Sequence, residues 1–440
     1  MPGKVNVMNS SGRVFPPDWT QIGYDNTPKS TLIGFDYAVD IKDNWDTSIV
    51  THTERYKDNK VLMYWPKNID TSNLITVDRM FQASNIESVD IDLSNARTAT
   101  AVFTDCFNLR DAVVHGLGNP DAPSGTVGNI ANMFSNCRSL VNVDLNLTEY
   151  STPLSAVHLF TDCWELQKFE YDGISENITR IITLFNAFTN CYKLEKLTIQ
   201  DTLCEWIGCY AAGSQTEDGC LFNVRIGGTS NGSQAAFRKA KIDGGSQIVI
   251  AKCSNAQDMF REAVINPSGS NDGITIQVLS NNAYNASYMF SDAIFRTSPR
   301  SYIDIKINIS NGTHCFDGLT FETDSFTKEL MFGTSAINLN SCTSCENMFA
   351  NSNVVSLNGL SNTSLQSATN LSNMFYNSLD LSDNSLSGIL NLLMTATSYT
   401  GTKSLLAVGF TDSDVYPLSR FQNLPNNIWN TFTNSGWTYN

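Results

Sequence analysis

The sequence predicts an α/β repeat solenoid in which each repeat supplies a short helix and a short parallel strand, with a cap at either end. Three observations carry that prediction: an eight-residue similarity that aligns without gaps at four places, a looser Met-Phe signature beyond it, and strand-like apolar runs in the middle of the chain.

The aligned segments run 102–109, 133–140, 159–166 and 187–194. With the aromatic residue as position zero, they share Phe103, Phe134, Phe160 and Phe188 at 0, Cys106, Cys137, Cys163 and Cys191 at +3, and Leu109, Leu140, Leu166 and Leu194 at +6. Each continues into a pair two residues apart: Ala112/Val114, Val143/Leu145, Phe169/Tyr171 and Leu197/Ile199. Residues three apart share a helix face and residues two apart share a strand face, so each repeat reads as helix, bend and strand. One repeat has too little apolar surface to fold alone, whereas stacked copies bury a continuous core. The four cysteines then serve as small apolar packing groups.

Met80-Phe81, Met259-Phe260, Met289-Phe290, Met331-Phe332, Met348-Phe349 and Met374-Phe375 mark looser copies, with Ala236-Phe237 and Cys315-Phe316 as degenerate ones. Phe81, Phe260, Phe290, Phe349 and Phe375 therefore join the predicted core. The runs 247–251, 274–279 and 302–309 are β-branched and partly alternating, as strands require. Ser-Asn pairs follow at 254–255, 280–281 and 310–311, where local side-chain bonds to backbone favour a turn. Phe spacings of 22 and 31 from Phe81 to Phe134, then 26 and 28 to Phe188, lie in the leucine-rich-repeat range. The longest gap, from Phe188 to Phe237, predicts an insertion near 200–223 that loops off one face.

These residues resemble the bacterial-surface-protein 26-residue repeat, close to the BspA-type leucine-rich repeats. The resemblance is carried by Asp70-Thr71-Ser72-Asn73 leading to Met80-Phe81, and by Met133-Phe134-Ser135-Asn136-Cys137 leading to Val143-Asp144-Leu145. It covers roughly residues 65–385 and implies a leucine-rich-repeat-like solenoid. Members of that family look like bacterial surface adhesins, and related repeats occur in phage tail and appendage proteins. The resemblance brings no catalytic residues with it.

The predicted organisation is an N-terminal cap or attachment segment over 1–58, a solenoid over 59–385 and a C-terminal cap over 386–440. The first segment lacks the repeat but carries Trp19, Tyr24, Phe35, Tyr37 and Trp45, too many aromatics for a free arm. Near the other end, Ile389–Met394 is mostly apolar, 426–434 reads as a helix, Gly436 as its stop and 437–439 as a last strand.

Acidic residues outnumber basic ones by 43 to 28, for a net charge of −15, which argues against nucleic acid as a partner. No apolar stretch is long enough for a membrane span, and the first residues carry no secretory signal, so membrane insertion and export are not expected. The 11 cysteines are expected to be reduced.

Catalytic, cofactor and metal residues are all expected to be absent. His52, His115, His158 and His314 lack ligand or nucleophile spacing. Cys342 and Cys345 form a lone C-x-x-C without a second pair, which suits packing better than zinc. Asp90/Asp92 and Asp412/Asp414 lack a calcium-loop glycine and suit a solvated face. The expected function is a non-enzymatic structural or attachment protein of a bacteriophage virion: a tail fibre, appendage or decoration. It would bind other virion proteins through the N-terminal segment, associate with itself (a trimer included), and meet a host surface protein or glycan. The alternatives are a bacterial cell-surface adhesin and, more remotely, a glycan-degrading enzyme.

Overall fold

The computed structural model describes residues 46–49, 51–65, 69–71, 73–116, 128–146, 154–172, 181–201, 203–227, 234–266, 273–279, 282–296, 303–322, 328–333, 335–411 and 414–440. Most of the expected N-terminal segment lies outside them. The chain forms two compact units, Met1–Thr216 and Glu217–Asn440.

Each unit is a parallel β-solenoid. In the first, strands Ser88–Asp92, Asp111–His115 and Asn142–Asn146 stack in register, with Val89 opposite Ala112 and Ala112 opposite Val143. Lys168–Asp172 pairs with Lys196–Asp201 in the same way. In the second, Leu221–Ile226, Gln247–Ile250, Ile274–Val278 and Ile303–Asn311 form one row. Lys241–Asp243, Val264–Asn266, Ile294–Phe295 and Thr320–Phe321 form another. Apolar residues meet their own kind across the ladder, as Ile248 meets Ile276, so register keeps one face inward.

The helix expected at each Phe is absent. Positions −2 and +2 lie in the left-handed region: Asn132 (φ 57°) and Asn136 (φ 63°) flank Phe134, and Asn347 (φ 52°) and Asn351 (φ 55°) flank Phe349. Alternating handedness divides the N–H groups into two sets. Those of Asn132, Phe134 and Asn136 point along the stack and donate to Val157, Leu159 and Thr161 of the next coil at 2.9, 3.0 and 2.7 Å. Those of Met133, Ser135 and Cys137 close three-residue turns onto Ile130, Asn132 and Phe134 at 3.2, 3.0 and 3.0 Å. A helix would send both sets back to carbonyls of its own segment. Burial every third residue thus arises from successive β-turns, not from helical pitch. The fold is a solenoid of strands and turns, and the predicted α/β helix-plus-strand repeat is corrected accordingly.

The aromatic side chains stack through the interior. Ring centroids of Phe81, Phe103, Phe134, Phe160 and Phe188 follow one another at 5.2, 5.3, 5.5 and 5.7 Å. Phe237, Phe260, Phe290, Phe316, Phe349, Phe375 and Phe410 do so at 5.2–5.5 Å in the second unit. Burying one such ring contributes about 1.5–3 kcal/mol, and each stacked pair about 0.5–1.5 kcal/mol more. Other rings meet the stacks edge-on: Trp65 lies at 79° to Phe81, Phe222 at 88° to Phe237, and Phe421 at 80° to Phe410.

Three details differ from the expected organisation. Tyr56 stacks on Phe81 at 5.6 Å, and the N–H groups of Glu54, Tyr56 and Asp58 donate to the following coil, so the array already includes residues assigned to the N-terminal segment. Residues 204–213 do not loop off. Phe188 and Asn190 donate to Gly208 and Tyr210 at 2.8 Å each, placing buried Cys209 where other coils carry Phe. Phe332 is no member of the stack; it meets Phe349 edge-on at 68°, and Met331 is 54% exposed. At the C-terminal end, helix Asp383–Met394 buries Leu386, Ile389, Leu390, Leu392 and Leu393. Helix Ile428–Asn434 leads through Gly436 (φ 88°) to buried Trp437, which stacks on Tyr399 and Phe432.

Candidate interaction surface

The residues predicted as repeat core are all in the interior: Phe81, Phe103, Cys106, Leu109, Phe134, Cys137, Leu140, Phe160, Cys163, Leu166, Phe188, Cys191, Leu194, Phe260, Phe290, Phe349 and Phe375 are each buried. The thiols are more than apolar filling. Cys106, Cys137, Cys163 and Cys191 donate from Sγ to the carbonyls of Phe81, Phe103, Phe134 and Phe160, one coil back, at 3.0, 3.0, 3.0 and 3.2 Å. Ser378 makes the same bond to Phe349 with a hydroxyl. Burial pushes the Cys106 thiol up to about 12 and those of Cys137 and Cys163 well above their ordinary range, so they are protonated and unreactive near neutral pH.

The other singled-out groups have local partners. Cys342 and Cys345 are buried free thiols with Sγ atoms 3.3 Å apart. His115 bonds Asp90 at 2.8 Å, His158 faces Thr161 at 3.2 Å, and His314 bonds Asp317 at 2.6 Å. Asp92 accepts from the Ser94 N–H at 2.8 Å, and Asp412 lies outside the described residues. Among the described residues, no three His, Cys, Asp or Glu side chains converge as a metal site would require. The described residues also include no helix long and apolar enough to cross a membrane.

What the first unit offers outward is a stripe at position +4, directly after the repeat cysteine. Because every turn is superposed on the next, the residues there fall into one row: Phe107, Arg138, Trp164 and Tyr192. Phe107 is 48% and Trp164 37% exposed. The Arg138 guanidinium lies between them, 5.3 Å from the Phe107 ring centre and 4.3 Å from that of Trp164. Tyr192 continues the row 6.2 Å beyond Trp164. Arg138 Nε donates to Asn136 Oδ1 at 2.8 Å, and Asn136 Nδ2 donates to Asp105 Oδ1 at 2.7 Å. The guanidinium is held on both faces and along one edge, and it has no carboxylate partner among the described residues.

Polar rows flank the stripe. On one side Asn190 bonds Asp162 at 2.8 Å, repeating the Asn136–Asp105 pair; on the other Lys193 bonds Glu165 at 2.8 Å. The coils of Phe237, Phe260, Phe290 and Phe316 in the second unit have no counterpart, because their +4 positions are Lys241, Val264, Ile294 and Thr320, the first residues of strands; after Phe349 and Phe375 the position is held by Asn353 and Leu379, neither aromatic nor cationic. It carries instead an open cleft of about 470 Å³ lined by Asp304, Met331, Phe332, Gly333, Ser335, Ala336 and Asn362. The stripe went unpredicted although its signal sits inside the aligned segments, where the residue after each Cys is aromatic or Arg.

No protein-family model, curated protein or solved structure matches the chain.

Proposed function

We propose that the chain is a non-enzymatic structural and attachment protein of a bacteriophage particle, belonging to the bacterial-surface-protein type of repeat and displaying its solenoid surface to a partner. The observation that carries this reading is the division of labour within each coil. The interior is filled by stacked rings and buried, protonated thiols, while the outward positions repeat in straight rows suited to holding an extended partner. The sequence resemblance, which takes in phage tail and appendage repeats as well as bacterial surface adhesins, supports an attachment role.

Mass spectrometry of purified virions tests the assignment. Detection at a fixed ratio to the major capsid or portal protein is the expected result, and a multiple of three would favour a trimeric fibre. Recovery only from the bacterial envelope would overturn it in favour of an adhesin. Release of reducing sugar from host polysaccharide by the purified chain would overturn its non-enzymatic character.

A further inference from the structure

We infer that the Phe107–Arg138–Trp164–Tyr192 stripe is a binding site for a linear glycan bearing carboxylate groups, with Arg138 receiving a carboxylate. The inference rests on the attachment reading above and specifies its ligand.

The geometry of Arg138 leads the argument. An exposed arginine ordinarily moves among several rotamers, and ordering it on binding costs conformational entropy. Here the ordering is already done by Phe107 on one face, Trp164 on the other and Asn136 at Nε. The residue is exposed, and a guanidinium edge matches a carboxylate with two parallel hydrogen bonds. The clamp distinguishes Arg138 from Arg261 of the second unit, whose guanidinium faces Tyr288 at 5.4 Å but is already paired with Asp258 at 3.2 Å.

The flanking rows decide between classes of anion. Asp105 and Asp162, each bonded to a neutral Asn, border one side of the stripe, where a ligand dense in negative charge, such as an acidic peptide, would meet repulsion; on the other side Lys193 neutralises Glu165. An acidic glycan carries at most one carboxylate per sugar and several hydroxyls beside it, whereas poly-Glu has no hydroxyl to donate. One carboxylate can sit on Arg138 while hydroxyl groups donate to the flanking carboxylates and amides. The exposed parts of Phe107, Trp164 and Tyr192 give the C–H surfaces of the sugar rings apolar contact. Coils advance by roughly 4.7–4.9 Å, the parallel-strand spacing, a step comparable to that of an extended pyranose chain. A partner protein using an apolar hot spot would want a patch wider than one side chain.

Isothermal titration of the full chain against oligogalacturonate, hyaluronan oligosaccharides and oligosialic acid tests this. Methyl-esterified oligogalacturonate and poly-Glu serve as controls. The expected result is binding to at least one acidic glycan, weakened at least tenfold by Arg138→Gln and by Trp164→Ala and unchanged by Arg261→Gln. Methyl esterification should abolish the binding of galacturonate if that is the ligand. All three positions are on the surface, and unchanged melting profiles verify that the variants are folded. Binding to none of the acidic glycans, equal binding by Arg138→Gln, or equal binding of poly-Glu would overturn the inference. The virion assay is independent: a chain present on particles but indifferent to these glycans sinks this inference alone. A glycan-binding chain absent from particles sinks the particle assignment alone.

Discussion

The two units share one aromatic stack design but differ three residues after the ring. In the first, position +3 is Ser84, Cys106, Cys137, Cys163 or Cys191, and the following strands begin seven or eight residues after the ring, at Ser88, Asp111, Asn142, Lys168 and Lys196. In the second, Ala240, Ala263, Ala293 and Leu319 occupy +3, and strands begin at the next residue, Lys241, Val264, Ile294 and Thr320. Hydrogen bonding distinguishes the two cases. The carbonyls of Ala240, Ala263 and Ala293 accept from Val264, Ile294 and Thr320 in the next coil at 3.0, 2.9 and 3.0 Å, so the ladder starts there. The carbonyls of Cys106 and Cys137 instead accept from Leu109 and Leu140 at 3.1 and 3.0 Å and close a second turn. That extra turn creates position +4 as a free corner, and the exposed stripe occupies it. The serine coils are intermediate: the strand after Ser352 is delayed to Ser356, yet the N–H of Asn353 still donates to Leu319 of the preceding coil at 3.3 Å. Cysteine at +3 therefore goes with a corner, and Ala or Leu goes with a strand.

The largest expected effect treats the units alike. Phe134→Ala and Phe290→Ala should each cost about 3–5 kcal/mol in chemical denaturation, because both remove a ring from the middle of a stack. A loss confined to one unit's variant would break the claim of a shared design. Next, Cys163→Ala should cost about 1–2 kcal/mol, since it removes both volume and the bond to Phe134. Cys163→Ser should cost less, because Ser378 makes the equivalent bond; equal losses would show that the thiol acts by packing alone. Asn190→Val and Asn351→Val should each cost roughly 1–2 kcal/mol more than Gly at the same site, since both substitutions lose the side-chain bond to Asp162 or Asp317 and only Val strains the left-handed backbone. Equal effects of Val and Gly in thermal melts would contradict the left-handed turn.

The smallest effect belongs to the first unit alone. Burial lowers the pKa of His52 from its ordinary 6.5, so folding favours the neutral ring. Its contribution is fully present above pH 6.5 and declines as pH falls through the depressed folded value, because the unfolded chain takes up the proton first. Denaturation of His52→Gln across pH 5–8 should show a flatter stability profile than the parent chain. An unchanged slope would assign the acid sensitivity elsewhere.

The interior was legible in the sequence because only a few residue types fit it. Rings that must stack and small groups that must fit between coils left Phe and Cys in fixed places, whatever the backbone was doing. The backbone itself was misread, because a chain of three-residue turns buries every third residue just as a helix face does. A discriminating signal lay beside four of the rings. Asn132 and Asn136, Asn186 and Asn190, Asn347 and Asn351, and Asn373 and Asn377 are asparagines at −2 and +2, a residue type that tolerates positive φ and weakens helices. The coil centred on Cys209 escaped because it lacks the ring by which copies were recognised. The stripe is harder to read because Phe107, Arg138, Trp164 and Tyr192 share no single residue type, although a corner repeated in register is as constrained in direction as any core position.

The axial N–H groups at −2, 0 and +2 also govern how a solenoid of this build would carry load. They run along the stack, so tension in that direction falls on the junctions between coils in series, and the weakest junction yields first. Each failure pays out one coil of chain and leaves its neighbours intact, so extension would proceed in steps. A tether that lengthens in steps dissipates a sudden pull and can recover by re-forming the turns against the coil that remains.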